Sequence, residues 1–162
     1  MPPPLLSLVV RRQEGFSSVE VIRLLRHRWE LRGTLYFEFQ PGVHAGLHWQ
    51  PGSVFVREEF WADLGAVVAR HAPGYGHYSF TPVAAPAWAG ILSEFDALSA
   101  GLRDADRVAA AALLPSLFRW FEPLAGPRWR RHVLQYAALA RELSAWVRSQ
   151  LPEHGAVSVL GI

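Results

Sequence analysis

Residues 34–56 read TLYFEFQPGVHAGLHWQPGSVFV, and this stretch decides the fold. It contains the tripeptide Gln-Pro-Gly twice, at 40–42 and 50–52, each time after a run in which apolar and polar residues alternate. Alternation with period two is typical of a strand with one buried face, and Pro-Gly is typical of a tight turn. The sequence therefore predicts an antiparallel β-meander over about 34–56, with strands at 34–40, 43–50 and 53–56.

The same alternation predicts a register for the first hairpin. Residues opposite one another in an antiparallel pair share a face of the sheet. A two-residue loop would set Glu38 opposite Ala45 and mix polar with apolar side chains. A three-residue loop at 41–43 sets Glu38 opposite Gly46 and Tyr36 opposite His48, and we expect this longer loop.

The flanking segments are predicted to be one strand and a series of helices. Ser17 and Glu20 form a capping-box pattern for a helix at 18–29, which follows a short strand at 5–12. Asp104 is expected to cap a helix that Pro115 interrupts. Apolar periodicity predicts the remaining elements, which are helices at 57–72 and 86–100, a helix from Pro127 to about 150, an extended piece at 78–83 and a strand at 156–160. The predicted fold class is α+β, with an N-terminal strand and helix, the meander, and four or five helices packed on one face.

Composition restricts the class of protein. A chain of 162 residues with 51% apolar content is expected to form a single globular domain over 1–162. No apolar run approaches the ~20 residues that span a membrane, and the start Met1-Pro2-Pro3-Pro4 lacks the charged region of a signal peptide. The absence of Cys agrees with a reducing compartment. We expect a cytoplasmic protein without a membrane segment.

Charge is nearly balanced overall but divided along the chain. All 16 basic residues are Arg, against 14 acids, for a net charge of +2. Residues 11–32 carry six Arg and three Glu, 54–106 carry three Arg and seven acids, and 107–148 carry seven Arg and two Glu. This balance argues against a strong nucleic-acid binder.

Two histidines in the predicted meander invite a metal-site interpretation. His44, His48 and Glu38 would share one face of the sheet, and two His with one carboxylate form a common ligand set. Positions four apart in a strand are separated by about 13 Å, too far for two ligands of one zinc ion. We therefore predict that no metal is held jointly by His44 and His48.

Residues 71–78 read HAPGYGHY and form the best candidate for a binding loop. Loops rich in Gly, aromatic residues and His often contact ligands or partners, so we select His71, Tyr75, His77 and Tyr78 as candidate partner-binding residues. The alternative is a plain helix stop followed by a turn. No phosphate-cradling or nucleophile-elbow motif is present, so we predict no catalytic residue, no cofactor and no metal site, and a protein that is not an enzyme.

Arg residues alternate with Trp near the C-terminal helix, at 128–132 and at 119–120. Such interleaving occurs on single-stranded nucleic-acid surfaces. Trp129, however, begins the apolar stripe of the last predicted helix, which favours a solvated basic face. We therefore do not expect this segment to bind nucleic acid.

The helix predicted from Arg57 carries Glu59 and Asp63 four residues apart, about 100° round from the apolar stripe. Like charges at this spacing are unfavourable in an isolated helix, although the helix dipole favours acids near the N-terminus. We expect both to be exposed and select them as candidate partner-binding residues.

The chain resembles the immunity proteins of bacterial polymorphic-toxin systems. The resemblance lies in Gly33-Thr34-Leu35-Tyr36-Phe37-Glu38-Phe39 and in the acidic-headed helix from Arg57, and it covers about residues 16–100. It implies a stand-alone cytoplasmic α+β protein that neutralises a cognate toxin by binding it. The near-neutral charge departs from the acidic balance common among inhibitors of nuclease toxins. Two alternatives stay open: a small ligand-binding or enzymatic domain that uses the loop at 71–78, and a homo-oligomeric regulatory subunit, for instance a homodimer.

Overall fold

A four-stranded antiparallel sheet with helices on one face forms the body of the protein. The computed structural model describes residues 21–33 and 35–162. The strands are β1 (Tyr36–Pro41), β2 (Val54–Arg57), β3 (Phe80–Ala84) and β4 (Ala156–Gly161), in the order β2-β1-β4-β3. The predicted α+β class is confirmed.

The described residues form five helices, and those at 62–71, 85–104 and 129–154 follow the predicted apolar periodicity, although the first begins at 62 rather than 57. They are α1 (Ala62–His71), α2 (Ala85–Asp104), α3 (Arg107–Leu113), α4 (Pro115–Trp120) and α5 (Trp129–His154). Short 3₁₀ turns occur at Arg28–Glu30, Glu58–Phe60 and Glu122–Ala125. The expected cap at Asp104 is wrong, because Asp104 ends α2 and the side chain of Asp106 accepts a free amide in the first turn of α3, from Ala109, at 2.8 Å.

The core lies between the sheet and α1, α2 and α5. Phe37, Phe39, Val157 and Val159 point from the two central strands into this layer and are fully buried. The last strand in sequence, β4, lies between β1 and β3 and pairs with both. Closure of the sheet therefore depends on the C-terminal residues.

The predicted middle strand of the meander is wrong. Residues 43–50 form a loop, and β1 pairs directly with β2, so that Glu38 lies opposite Phe55 rather than Gly46. The other edge of β1 is taken by β4, where Glu38 lies opposite Leu160. Gly42 and Gly46 also adopt positive φ angles, of 79° and 87°, which break an extended run. The expected register, with Tyr36 opposite His48, is lost with the strand.

The described part of the predicted helix at 18–29 is also not α-helical, and only the 3₁₀ turn from Arg28 falls within it. Leu25 exchanges two backbone hydrogen bonds with Phe55 of β2, at 2.9 and 2.7 Å. These bonds cover the outer edge of β2, and Ile22, Leu24 and Leu25 are buried in this extended form. The strand expected at 5–12, the capping box and residues 18–20 lie outside the described residues.

Candidate functional site

A cleft of about 410 Å³ opens beside the ends of β1 and β2, and we call it the Glu58 cleft. Three stretches of chain and α4 meet there: the segment that enters β1, the segment that leaves β2, and the loop at 72–79. Its walls are formed by Arg32, Leu35, Tyr36, Arg57, Glu58, Glu59, Ala62, His77, Ser116 and Trp120.

Large side chains stand exposed at the rim of this cleft. Trp120 is 75% exposed, and Leu35 is 57% exposed. The backbone of Leu35 has a φ of 77°, in the left-handed region that side chains with a Cβ rarely adopt. Its carbonyl accepts the backbone amide of Glu58 at 3.1 Å, so one wall of the cleft holds the other in this conformation.

Glu58 fastens the loop at 72–79 to the start of the α1 region. One carboxylate oxygen, Oε1, accepts hydrogen bonds from Nε2 of His77 at 3.0 Å and from the hydroxyl of Tyr78 at 2.9 Å. The bond from His77, and then that from Tyr78, holds the pKa of Glu58 below its usual value against the opposing effect of partial burial. The same bond raises the pKa of Tyr78, because the hydroxyl donates to a carboxylate. His77 and Tyr78 therefore both donate to an ionised Glu58 carboxylate.

Three of the predicted partner-binding residues meet at this cleft. His77 and Glu59 line it, and Tyr78 is tied to it through Glu58. Glu59 forms an ion pair with Arg57 at 2.7 Å. These three candidates therefore lie close together in the fold.

Asp63 does not belong to that surface, and the expectation of an exposed charge is wrong for it. Its two carboxylate oxygens accept the backbone amides of Ser116 at 3.0 Å and Leu117 at 2.9 Å. These amides are free donors in the first turn of α4. Asp63 therefore acts as a cap for a neighbouring helix.

His71 and Tyr75 also have local structural partners. Nε2 of His71 lies 2.6 Å from Oε1 of Glu94, which also pairs with Arg70. The hydroxyl of the half-buried Tyr75 accepts the indole N–H of Trp61 at 2.6 Å. Burial raises the pKa of Tyr75. Both residues hold the end of α1 against its surroundings rather than line the cleft.

No known protein family, curated protein or solved structure matches this chain. Within residues 21–33 and 35–162, no helix is long and apolar enough to cross a membrane. What the cleft does must follow from its own chemistry.

Sequence reasoning did not connect Arg32, Leu35, Glu58 and Trp120. Glu58 was visible only as a first-turn acid, and Trp120 only as the neighbour of Arg119, whose guanidinium lies 5.3 Å from the indole centroid. No periodicity links these positions, because they come from separate elements. The Arg119-Trp120 pair was the signal in the sequence that could have pointed to this cleft.

The expected separation of about 13 Å between His44 and His48 is wrong. Because residues 43–50 form a loop, the two ring centroids lie 5.2 Å apart. Nδ1 of His44 contacts the side-chain oxygen of Gln40 at 2.9 Å, and Nδ1 of His48 lies 3.7 Å from Glu38. The described residues nevertheless contain no group of three His, Cys, Asp or Glu side chains arranged to hold a metal ion.

Proposed function

We propose that this chain is a protein-binding domain and that the Glu58 cleft, with its rim, is the interface. The observation that carries the proposal is Trp120, three-quarters exposed beside a cavity that Leu35 and Tyr36 also line. Trp, Tyr and Arg are the residues that most often dominate binding energy at protein interfaces. An indole left in water at the edge of a cavity is suited to being covered by a partner.

The charges of the cleft favour a partner with a surface of mixed sign. Arg32 and Arg57 stand beside Glu58 and Glu59 on its walls. Alternating charges contribute mainly to specificity and to the rate of association, since a partner with the wrong arrangement meets like charges. A strongly acidic or strongly basic partner fits this arrangement poorly.

Within this class, we favour an immunity protein that neutralises a cognate toxin by direct binding. Both stretches that carry the resemblance border the cleft, the first through Leu35 and Tyr36 and the second through Arg57, Glu58 and Glu59. Neutralisation of this kind needs a surface and no chemistry by the chain itself.

The test is capture of a partner from the native organism, followed by measurement with the purified pair. We expect Trp120→Ala to weaken binding by about 2 kcal/mol or more, the threshold of an interface hot spot. Trp29→Ala is the matched control, because Trp29 is similarly exposed, at 69%, and does not line this cleft. Equal loss in both variants, or no loss with Trp120→Ala, would move the interface elsewhere.

The immunity role has its own readout. We expect the captured partner, expressed alone in a host, to arrest growth, and co-expression of the wild-type chain to restore it. Trp120→Ala should restore growth less than Trp29→Ala does. If the partner is harmless when expressed alone, the protein-binding role still stands, but the immunity role is contradicted.

A small ligand in the same cleft is the second candidate. The volume of about 410 Å³ lies in the range of small-molecule sites, and His77 with Glu58 supplies a polar pair on its wall. A ligand of this kind would be detected as a rise in melting temperature that His77→Ala abolishes and that occurs without a protein partner.

A further inference from the structure

A second cavity, of about 260 Å³, shares no described residue with the Glu58 cleft, and we call it the Trp29 cavity. It lies between the segment that precedes β1 and the end of the loop at 42–53. Its walls are formed by Arg26, His27, Arg28, Trp29, Trp49, Gln50, Pro51, Gly52, Ser53 and Phe55.

Two indoles on these walls are available for stacking. Trp29 is 69% exposed, and one of its faces is covered by the ring of His27, with centroids 4.1 Å apart and planes 7° from parallel. Trp49 is 39% exposed and packs against Phe55, with centroids 5.7 Å apart. Stacked rings of this kind form a flat apolar platform with one face open to a planar ligand.

Among the described residues, the charge on the walls of this cavity is positive. Arg26 and Arg28 line it, and no Asp or Glu of residues 21–33 and 35–162 does. Across residues 23–32 the chain has four Arg and one Glu. Glu30 pairs with Arg23, and Arg26 reaches Glu142 at 3.7 Å, so part of this charge is compensated outside the cavity. The walls thus favour a ligand that is planar and carries negative charge.

The loop that presents Trp49 is held in a strained conformation. Trp49 has a φ of 59°, which costs about 1 kcal/mol or more for a residue with a side chain. Its backbone amide and that of Gln50 donate to the two carboxylate oxygens of Glu38, at 3.0 and 3.1 Å. Glu38 is fully buried on the outer face of β1. A buried carboxylate therefore fixes the backbone beneath the exposed indole.

Further polar contacts fasten the rest of the loop. The side-chain amide of Gln40 donates to Glu38 at 3.0 Å and to the carbonyl of Leu47 at 2.7 Å. The hydroxyl of Ser158, in β4, accepts the amide of His44 and donates to the carbonyl of Gly42. Buried polar groups stabilise a unique conformation only when they are satisfied, and strain persists only where the surroundings hold it. Such fixation is typical of a surface that must be ready for a ligand.

We propose that the Trp29 cavity binds single-stranded nucleic acid, with a base stacked on Trp29 beside Trp49 and the adjacent phosphates at Arg26 and Arg28. Stacking platforms flanked by cations are the usual means by which proteins hold single strands without reading sequence. The cavity is smaller than a typical enclosed ligand site, which suits one base of a strand better than a whole small molecule. The planar guanidinium of Arg also stacks on bases. All 16 basic residues of this chain, counting Lys and Arg, are Arg.

This surface differs from the C-terminal Arg-Trp segment that the sequence singled out. There, the guanidinium of Arg130 is bonded to the backbone carbonyls of Arg103 and Ala105, and Trp129 packs against the core. Those groups are engaged within the fold. The near-neutral net charge predicts only that binding is modest and sensitive to salt.

The test is fluorescence anisotropy with a labelled oligothymidine at low salt, using the full chain. We expect Trp29→Ala and Trp49→Ala each to weaken binding at least about fivefold. Trp120→Ala is the control and should bind as wild type does. Arg26→Ala/Arg28→Ala should weaken binding and reduce its dependence on salt concentration.

Four outcomes would overturn the proposal. They are no binding by the wild type at low salt, equal loss in Trp120→Ala, binding of thymidine monophosphate as tight as that of the strand, and loss of a captured protein partner on Trp29→Ala without any nucleic-acid binding. The last outcome would indicate that the Trp29 cavity binds a protein instead of nucleic acid. Because Trp120→Ala affects only the Glu58 cleft, failure of this proposal and failure of the protein-binding role are distinguishable.

Glu38 is a positioning residue in this scheme, and it has a separate test. We expect Glu38→Gln to weaken strand binding as Trp49→Ala does, and the double variant to lose no more than Trp49→Ala alone, because Glu38 acts through Trp49. Additive losses would mean that Glu38 serves general stability and does not position the indole. The chain has seven Trp, so the contribution of Trp49 to fluorescence quenching by the oligonucleotide is obtained as the difference between Trp29→Ala and Trp29→Ala/Trp49→Ala.

Discussion

At the scale of single residues, Glu58 is the group on which the loop at 72–79 depends. Hydrogen bonds from His77 and Tyr78 lower its pKa in the folded protein. A carboxyl with a lower pKa when folded stabilises the fold above its unfolded pKa of about 4.3 and loses that contribution as pH falls through the folded value.

We therefore expect Glu58→Gln to lower the free energy of unfolding at neutral pH, by less than about 1 kcal/mol because the group is partly solvated. The difference from wild type should shrink as the pH falls below about 4. Urea unfolding at a series of pH values measures it. Glu153→Gln, at a side chain 83% exposed, controls for removing one negative charge. A difference that is constant with pH would contradict the role of Glu58.

At the scale of elements, α4 depends on a side chain from another helix. It begins at Pro115, and the preceding residue, Leu114, has no side-chain oxygen to accept its free amides. Asp63 of α1 accepts two of them. Because α4 carries Trp120, this contact also positions one wall of the Glu58 cleft.

We expect Asp63→Ala to lower the free energy of unfolding by about 0.5 to 2 kcal/mol, the usual range for loss of a helix cap. Asp63→Asn keeps one acceptor oxygen and should cost less. Consequently Glu59→Arg/Asp63→Arg should also be destabilised, although both positions were expected to be exposed. Denaturant unfolding checks the series, and unchanged stability in Asp63→Ala would contradict the capping role.

At the scale of the whole molecule, the C-terminal strand connects the sheet to the candidate site. Gly161 of β4 lies opposite Phe37, and its amide donates to the carbonyl of Ser79 at 3.3 Å. A Cβ at Gly161 would overlap the carbonyl oxygen of His77 and lie 3.0 Å from Cα of Tyr78. The loop therefore packs against β4 with no room for a side chain.

We expect Gly161→Ala to displace residues 77–79 and to destabilise the protein by about 1 to 3 kcal/mol, as overpacking does. Limited proteolysis should cut this loop faster, and partner binding at the Glu58 cleft should weaken. Gly74→Ala, in the same loop with nothing within 4 Å of its Cβ, is the matched control. Equal stability and equal proteolysis rates in the two variants would show that the loop accommodates the added methyl group without loss of stability.

The sequence by itself determined the elements whose signals are local. Apolar periodicity located α1, α2 and α5, and alternation located β1, because these signals repeat within each element. Pro115 separated α3 from α4 as expected, since proline removes a helix amide. The exposed aromatic and charged residues of the loop at 71–78 were recognisable as candidates, but not their partners.

Only the tertiary structure decided which strands pair and which side chains meet. Residues 43–50 have the alternation of a strand, yet β4, more than a hundred residues later, takes the edge of β1 that they would need. Residues 21–27 have the spacing of a helix, yet the backbone of Leu25 pairs with Phe55 of β2. Pairing partners, the cap from Asp63 and both cavities depend on contacts between distant segments. Local sequence determines only the conformational preference of one segment. Which segment pairs with a given strand edge, or donates to a given hydrogen-bond acceptor, depends on the whole chain.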